Sequence, residues 1–260
     1  MRAYLIRVFG DMPAMAKMMG MKGPNALYPC RACKIRGVRD VSGGGKTLYV
    51  PLHRDEERDG EPPYDGFELP LRTHDEFIRD AVHVATAPSD AEAERRSKST
   101  GINCLAILAT LPSLSFPESF GHDLMHLISE NVFKNLITLW TGDFKGIETG
   151  DEDYKLPPAV VNSIGDACVV AGDTTPAVFG ARVPNLATQL HYYTAESYTS
   201  FLTLLGPVLL RNRFSKPKYY THYLDLVSIY EDCVSMSSDR EYVDTTFRAK
   251  IVDWVQRYEK

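Results

Sequence analysis

An aspartate stands where an apolar segment near the start of the sequence ends. Leu5–Phe9 has the composition of a short buried strand, and Gly10 and Pro13 prevent the strand from continuing. We therefore expect Asp11 to be either the cap of a following helix or a ligand held by a rigid element.

A second acid lies close to a histidine in the segment GHDLMHLISEN. Asp123 and His126 are three residues apart, so they share one face of a helix. A carboxylate beside an imidazole suits the binding of a metal ion or a phosphate. The same spacing also fits an ordinary first helical turn, in which the helix dipole favours Asp123 and His126 packs in a semi-polar seam.

Two cysteines have the spacing of half a zinc knuckle. Cys30 and Cys33 form the segment CRAC, and His53 in VPLHRDE offers a third zinc ligand. The sequence contains no second Cys-x-x-Cys, and Cys104 has apolar neighbours. The alternative is a pair of reduced surface thiols in a basic loop.

A basic cluster lies in the segment RNRFSKPKYYTHY. Its cations alternate with aromatic residues, as in proteins that follow a nucleic-acid backbone. A solvated helix terminus would have the same composition. The four cations are Arg211, Arg213, Lys216 and Lys218, and the aromatic residues among them are Phe214, Tyr219 and Tyr220.

The overall composition limits the class of protein. The length of 260 residues is enough for one large domain or two small ones, and a hydrophobic fraction of 44% is ample for a core. The net charge is −5 and the isoelectric point about 5.8, so nucleic-acid contact would have to be local. Five cysteines without a disulfide-like spacing indicate a reducing compartment. The longest apolar run, FLTLLGPVLL, is too short to span a membrane. We expect a soluble nuclear or cytoplasmic protein without a membrane partner.

The hydrophobic pattern predicts a mainly α-helical fold with a small β part (α+β). One helix should begin after Ser89 and end at Gly101, and another should end at Gly142. TLYVPL is predicted as a strand. Further helices are predicted in PAMAKMMGMKG, around Phe77, and in three segments near the C-terminus, TAESYTSFLTLLGPVLL, KYYTHYLDLVSIYEDCVSM and EYVDTTFRAKIVDWVQRYEK.

The order of several short segments resembles the transposases of CACTA-type (En/Spm-like) DNA transposons. It is most similar to the versions that are abundant in mushroom-forming fungi, and the resemblance covers most of the chain. The segments that carry it are GDMPAMAKMMGMKG, CRAC, YVPLHR, LPLRTHDEF, HDLMHLISENVFKNL, RVPN and TAESYTSFLTLLGPVLLRNRF.

This resemblance implies part of a ribonuclease-H-like core of the DDE type that carries a large helical insertion. It implies that Asp11 is the second catalytic aspartate and that Asp123 and His126 form an acid-x-x-His motif. It makes Glu196 the catalytic glutamate, with Glu130 as the alternative. Carboxylates of this kind hold two Mg²⁺ or Mn²⁺ ions, which activate the attacking oxygen and stabilise the leaving oxygen. The implied partners are transposon-end DNA and a second copy of the chain.

The resemblance also implies three regions. Residues 1–60 would be the remnant of the core with the Cys-x-x-Cys loop, 61–190 the helical insertion, and 191–260 the C-terminal helices with Glu196. Only ten residues precede Asp11, so the strand with the first catalytic aspartate is expected to be missing and the chain to be inactive alone. The alternatives are a domesticated, non-catalytic DNA- or protein-binding helical protein and a small zinc module built on CRAC.

Overall fold

The computed structural model describes residues 4–39, 48–144 and 152–260. The molecule is about 54% helical, which confirms the predicted mainly α fold with a small β part. Val38–Arg39 (β1) and Leu48–Tyr49 (β2) pair antiparallel, with Val38 opposite Tyr49. Of the predicted strand TLYVPL, the described part of the chain forms a strand only at β2. The ribonuclease-H-like core stays a prediction.

The chain divides into two compact units, the first ending at Asp123 and the second covering Leu124–Tyr258. The helices from Leu124 onward thus form one body, and the boundary falls inside the predicted region 61–190. The first unit contains α1 (Met12–Met18), α2 (Glu56–Asp59), α3 (His74–Ala85), α4 (Asp90–Thr100) and a 3₁₀ turn at Ile107–Thr110.

In the described part of the second unit, three continuous helices contain a π-helical segment. A π segment at Met125–Phe133 leads into α5 (Lys134–Thr141), and α7 (Ala195–Ser200) continues through a π segment at Phe201–Leu205 into α8 (Gly206–Leu209). The remaining elements are α6 (Pro158–Thr174), 3₁₀ turns at Ala177–Phe179 and Leu190–Tyr192, α9 (Pro217–Val234), α10 (Arg240–Tyr242), a π segment at Val243–Phe247 and α11 (Arg248–Tyr258).

Each unit has its own aromatic core. In the first, Phe116 packs against Phe77 and Phe120 with ring centroids 5.1 and 4.5 Å apart. In the second, Phe133 lies at the end of a π segment and contacts Phe201 and Tyr223, both with ring centroids about 6 Å away. All three side chains are fully buried, so burial of aromatic surface fixes how the helices of the second unit pack.

The local signals at helix ends behave as the sequence predicts. Ser89 caps α4 by accepting a hydrogen bond from the Glu92 amide, and Gly101 ends that helix in a left-handed conformation. Gly142 ends α5 in the same way. The described residues contain no helix long and apolar enough to cross a membrane.

The prediction of a buried strand at Leu5–Phe9 is wrong. Only Val8 is buried, whereas Ile6 and Phe9 are 65% and 70% exposed. Val8 makes a single parallel bridge to Phe120. Because this segment forms no longer pairing with the described residues, none of their strands covers its apolar side chains.

Candidate functional site

Asp11 lies at the N-cap of α1 and not at the end of a sheet strand. Its Oδ1 accepts a hydrogen bond from the Ala14 amide at 2.6 Å, and Pro13 occupies the first helical turn. Of the two roles that the sequence leaves open, the structure establishes the cap. The carboxylate satisfies an amide that would otherwise lack an intrahelical partner.

His126 lies on the first π segment of the second unit, beside a glutamate four residues later in the same segment. Its Nε2 is 3.6 Å from Oε2 of Glu130. This π segment packs against α7. The buried Ser129 hydroxyl of the π segment lies 2.8 Å from the Thr199 hydroxyl of α7. Burial and the charge of Glu130 raise the pKa of the neighbouring Tyr198. Glu130, the alternative glutamate, therefore places a carboxylate beside this imidazole. π segments of this kind are frequent at functional sites.

Glu196, the first choice for the catalytic glutamate, closes a loop. It lies in the first turn of α7, and its Oε1 accepts a hydrogen bond from the Ala181 amide at 3.2 Å. The preceding residue, Gly180, has a φ of +96°, and a Cβ at that position would be 2.1 Å from the same oxygen. The loop thus folds tightly onto the Glu196 carboxylate.

The predicted divalent metal site draws on residues of both units. Asp11 and Asp123 belong to the first unit, and His126 and Glu196 belong to the second. Among the described residues, no group of three or more His, Cys, Asp or Glu side chains is arranged to hold a metal ion. Carboxylate oxygens have the right chemistry for Mg²⁺ or Mn²⁺. However, no such group occurs among the described residues, so we derive no catalytic step through a metal ion.

Cys30 and Cys33 do come together. The Cys33 amide donates to Cys30 Sγ at 3.3 Å, and Cys33 is buried whereas Cys30 is half-buried. A hydrogen bond from the Cys33 thiol lowers the pKa of Cys30, and this effect outweighs the opposing effect of burial. The same thiol contact and burial raise the pKa of Cys33. His53 is exposed, and within the described ranges no third zinc ligand joins the two sulfurs.

Two buried arginines flank this thiol pair, and sequence reasoning missed them. Arg72 donates from Nε to the carbonyls of Cys30 and Cys33 at 3.1 and 3.3 Å, and from Nη2 to that of Thr100 at 2.9 Å. Arg31 is 7% exposed and donates from Nη2 to the Gly121 carbonyl at 2.7 Å. Its position between the cysteines is visible in the sequence, but an arginine is normally exposed, so nothing in the pattern signals its burial.

The basic cluster forms an exposed turn after α8 and continues into the first two residues of α9; it is here called the basic turn (Arg211–Lys218). Lys216 pairs with Asp153, and the ammonium of Lys218 lies 4.8 Å from the centre of the Tyr219 ring. Within the described part of the chain, Arg211 and Arg213 have no ion-pair partner. The basic turn therefore presents three cations that pair with no carboxylate of the described residues: Arg211, Arg213 and Lys218.

The hydrophobic core holds the basic turn in place. The Phe214 ring packs edge-on against Trp140, with centroids 5.2 Å apart. The Ser215 hydroxyl donates to the Asp153 carbonyl at 2.6 Å, and Asn212 adopts a left-handed φ of +58°. Pro217 then starts α9. These contacts fix the backbone, so little backbone ordering is needed when a ligand binds the arginines.

No known protein family matches this chain, and it has no significant similarity to any curated protein or solved structure.

Proposed function

We propose that this chain derives from a DDE-type DNA transposase and that it contacts the DNA backbone through the basic turn. The order of motifs that resembles CACTA-type transposases supports the origin. Metal-dependent strand cleavage and transfer are proposed for the intact transposase, with Mg²⁺ or Mn²⁺ as cofactor. DNA contact is proposed for this chain itself.

The observation that carries the DNA contact is that, among residues 4–39, 48–144 and 152–260, no carboxylate pairs with Arg211, Arg213 or Lys218. In a protein with a net charge of −5, most cations can be neutralised by nearby acids. Two guanidinium groups and an ammonium without such partners, on an anchored backbone, form a favourable site for phosphates. Phosphate contacts fix position but read no sequence, so binding should depend little on the DNA sequence.

The test measures the affinity of the purified chain for labelled duplex DNA at low salt by fluorescence anisotropy. The triple variant Arg211→Ala/Arg213→Ala/Lys218→Ala should lose about tenfold or more in affinity. A matched control replaces three exposed cations elsewhere in the second unit, Lys134, Arg240 and Arg248, with alanine. Because both variants lose three positive charges, a general charge effect would weaken both equally. Equal losses, or no binding by the unmodified chain, would refute the proposal.

A further inference from the structure

We propose that Cys30 and Cys33 form a thiol–disulfide exchange site, with Cys30 as the attacking sulfur and a low-molecular-weight disulfide as the oxidant. The inference concerns the first unit only and does not rest on the proposed function.

The neighbouring segment, residues 70–72, fixes the backbone around the thiol pair. The Arg72 amide donates to the Ala32 carbonyl at 2.9 Å, and the Lys34 amide donates to the Pro70 carbonyl at 2.8 Å. The Arg72 side chain also binds the carbonyls of both cysteines. This framework keeps the two sulfurs in hydrogen-bonding contact, so the second thiol is already in place when the first has reacted.

The surroundings of Cys30 favour a thiolate. Its sulfur accepts the Cys33 amide, and the positive charges of Arg31 and Arg72 lie close to it. The Nε atom of Arg31 is buried and has no hydrogen-bond partner among the described residues, so this buried cation benefits from nearby negative charge. Asp123 lies near this guanidinium, and a thiolate at Cys30 would place a second negative charge beside it. The thiolate is the nucleophilic form of cysteine.

The exposure of the two residues matches the roles of an attacking and a resolving thiol. Half-buried Cys30 attacks one sulfur of the external disulfide, which forms a mixed disulfide and releases one thiolate. Buried Cys33 then loses its proton to solvent and attacks the Cys30 sulfur, which closes the Cys30–Cys33 disulfide and releases the second thiolate. Two electrons pass from the protein to the external disulfide, and reduction by a dithiol reverses the reaction.

The test uses the full chain with exposed Cys104 and Cys233 replaced by serine, which leaves Cys30, Cys33 and buried Cys168. The protein is incubated with oxidised glutathione, quenched in acid, unfolded and alkylated. We expect one alkylated thiol instead of three, and all three after treatment with dithiothreitol. Trypsin cleaves after Arg31, between the two cysteines, so the disulfide is detected by mass spectrometry as a linked pair of peptides.

The variant Cys33→Ser separates the two steps. Without the resolving thiol, the variant should retain one glutathione on Cys30, whereas the parent should retain none at equilibrium. Circular dichroism checks that the variant is folded, and the parent protein alone already tests disulfide closure. Three alkylated thiols in the oxidised parent would overturn the proposal. So would persistent glutathione on Cys30 of the parent, or one zinc ion per purified chain that blocks oxidation until it is chelated.

Discussion

Replacement of Glu196 distinguishes a loop-closing carboxylate from a catalytic one. Glu196→Ala removes the 3.2 Å hydrogen bond from the Ala181 amide, which contributes about 1 kcal/mol. It also removes a negative charge from the first turn of α7, which contributes about 0.3 kcal/mol at an exposed position. The expected loss in the free energy of unfolding is therefore about 1.3 kcal/mol. Glu196→Gln keeps an acceptor oxygen and should lose about 0.5 kcal/mol or less.

Urea unfolding followed by tryptophan fluorescence measures this loss. Both tryptophans, Trp140 and Trp254, belong to the second unit, so the signal reports the unit that contains Glu196. With a slope of about 2 kcal/mol/M, Glu196→Ala should lower the midpoint by about 0.6 M. Glu231→Ala, at an exposed position on α9, is the matched control and should shift it little. An unchanged midpoint for Glu196→Ala, or equal losses for the Ala and Gln variants, would refute the loop-closing role.

Three further predictions concern stability and cleavage. The Tyr223 hydroxyl is buried and donates to the Leu202 carbonyl at 2.6 Å, so Tyr223→Phe should cost about 1–2 kcal/mol in the same unfolding assay, and an unchanged midpoint would contradict this. The His222 ring stacks on Trp254, and burial lowers the pKa of His222. The charge of Arg257 lowers this pKa further, whereas the Trp254 carbonyl, Asp225 and Asp253 raise it. The neutral ring is thus favoured in the folded state, so stability should be full above about pH 6.5 and fall as the pH drops below that value. His222→Gln should show a weaker pH dependence, and an equal one would assign the effect to other groups. Finally, the chain with Mn²⁺ should leave labelled duplex DNA uncut. Nicking that disappears in Asp11→Ala but persists in Asp55→Ala, which removes the equivalent cap of α2, would show catalysis at Asp11.

The sequence predicts helices best where both of their ends have local signals. Ser89 and Gly101 mark α4 because capping depends on residues next to each other in the chain. The hydrophobic pattern does not predict helix α6, which contains Gly165 and Gly172. A Cβ at Gly165 would lie 2.2 Å from Asn185 Oδ1, so this glycine allows close tertiary packing that no local pattern reveals.

In the candidate sites too, the sequence predicts contacts between neighbouring residues but not contacts between distant ones. The spacing of Cys30 and Cys33 is local, and the structure brings the two cysteines together, whereas the pairing of His53 with them would require a long-range contact. For Asp11, the nearby Pro13 and the apolar run before it fit both a strand end and a helix cap. The choice between them depends on whether other strands cover that run, and the exposed Phe9 shows that they do not.

The salt dependence of DNA affinity tests the DNA-binding proposal most directly. Three cations of the basic turn that each neutralise one phosphate give a slope of about −2.7 in log affinity against log salt concentration. Between 50 and 200 mM salt, the chain should therefore lose about 40-fold in affinity for duplex DNA. Arg211→Ala alone should reduce the slope by about 0.9. A slope near zero, or one that the triple variant leaves unchanged, would contradict the assignment of DNA contact to the basic turn.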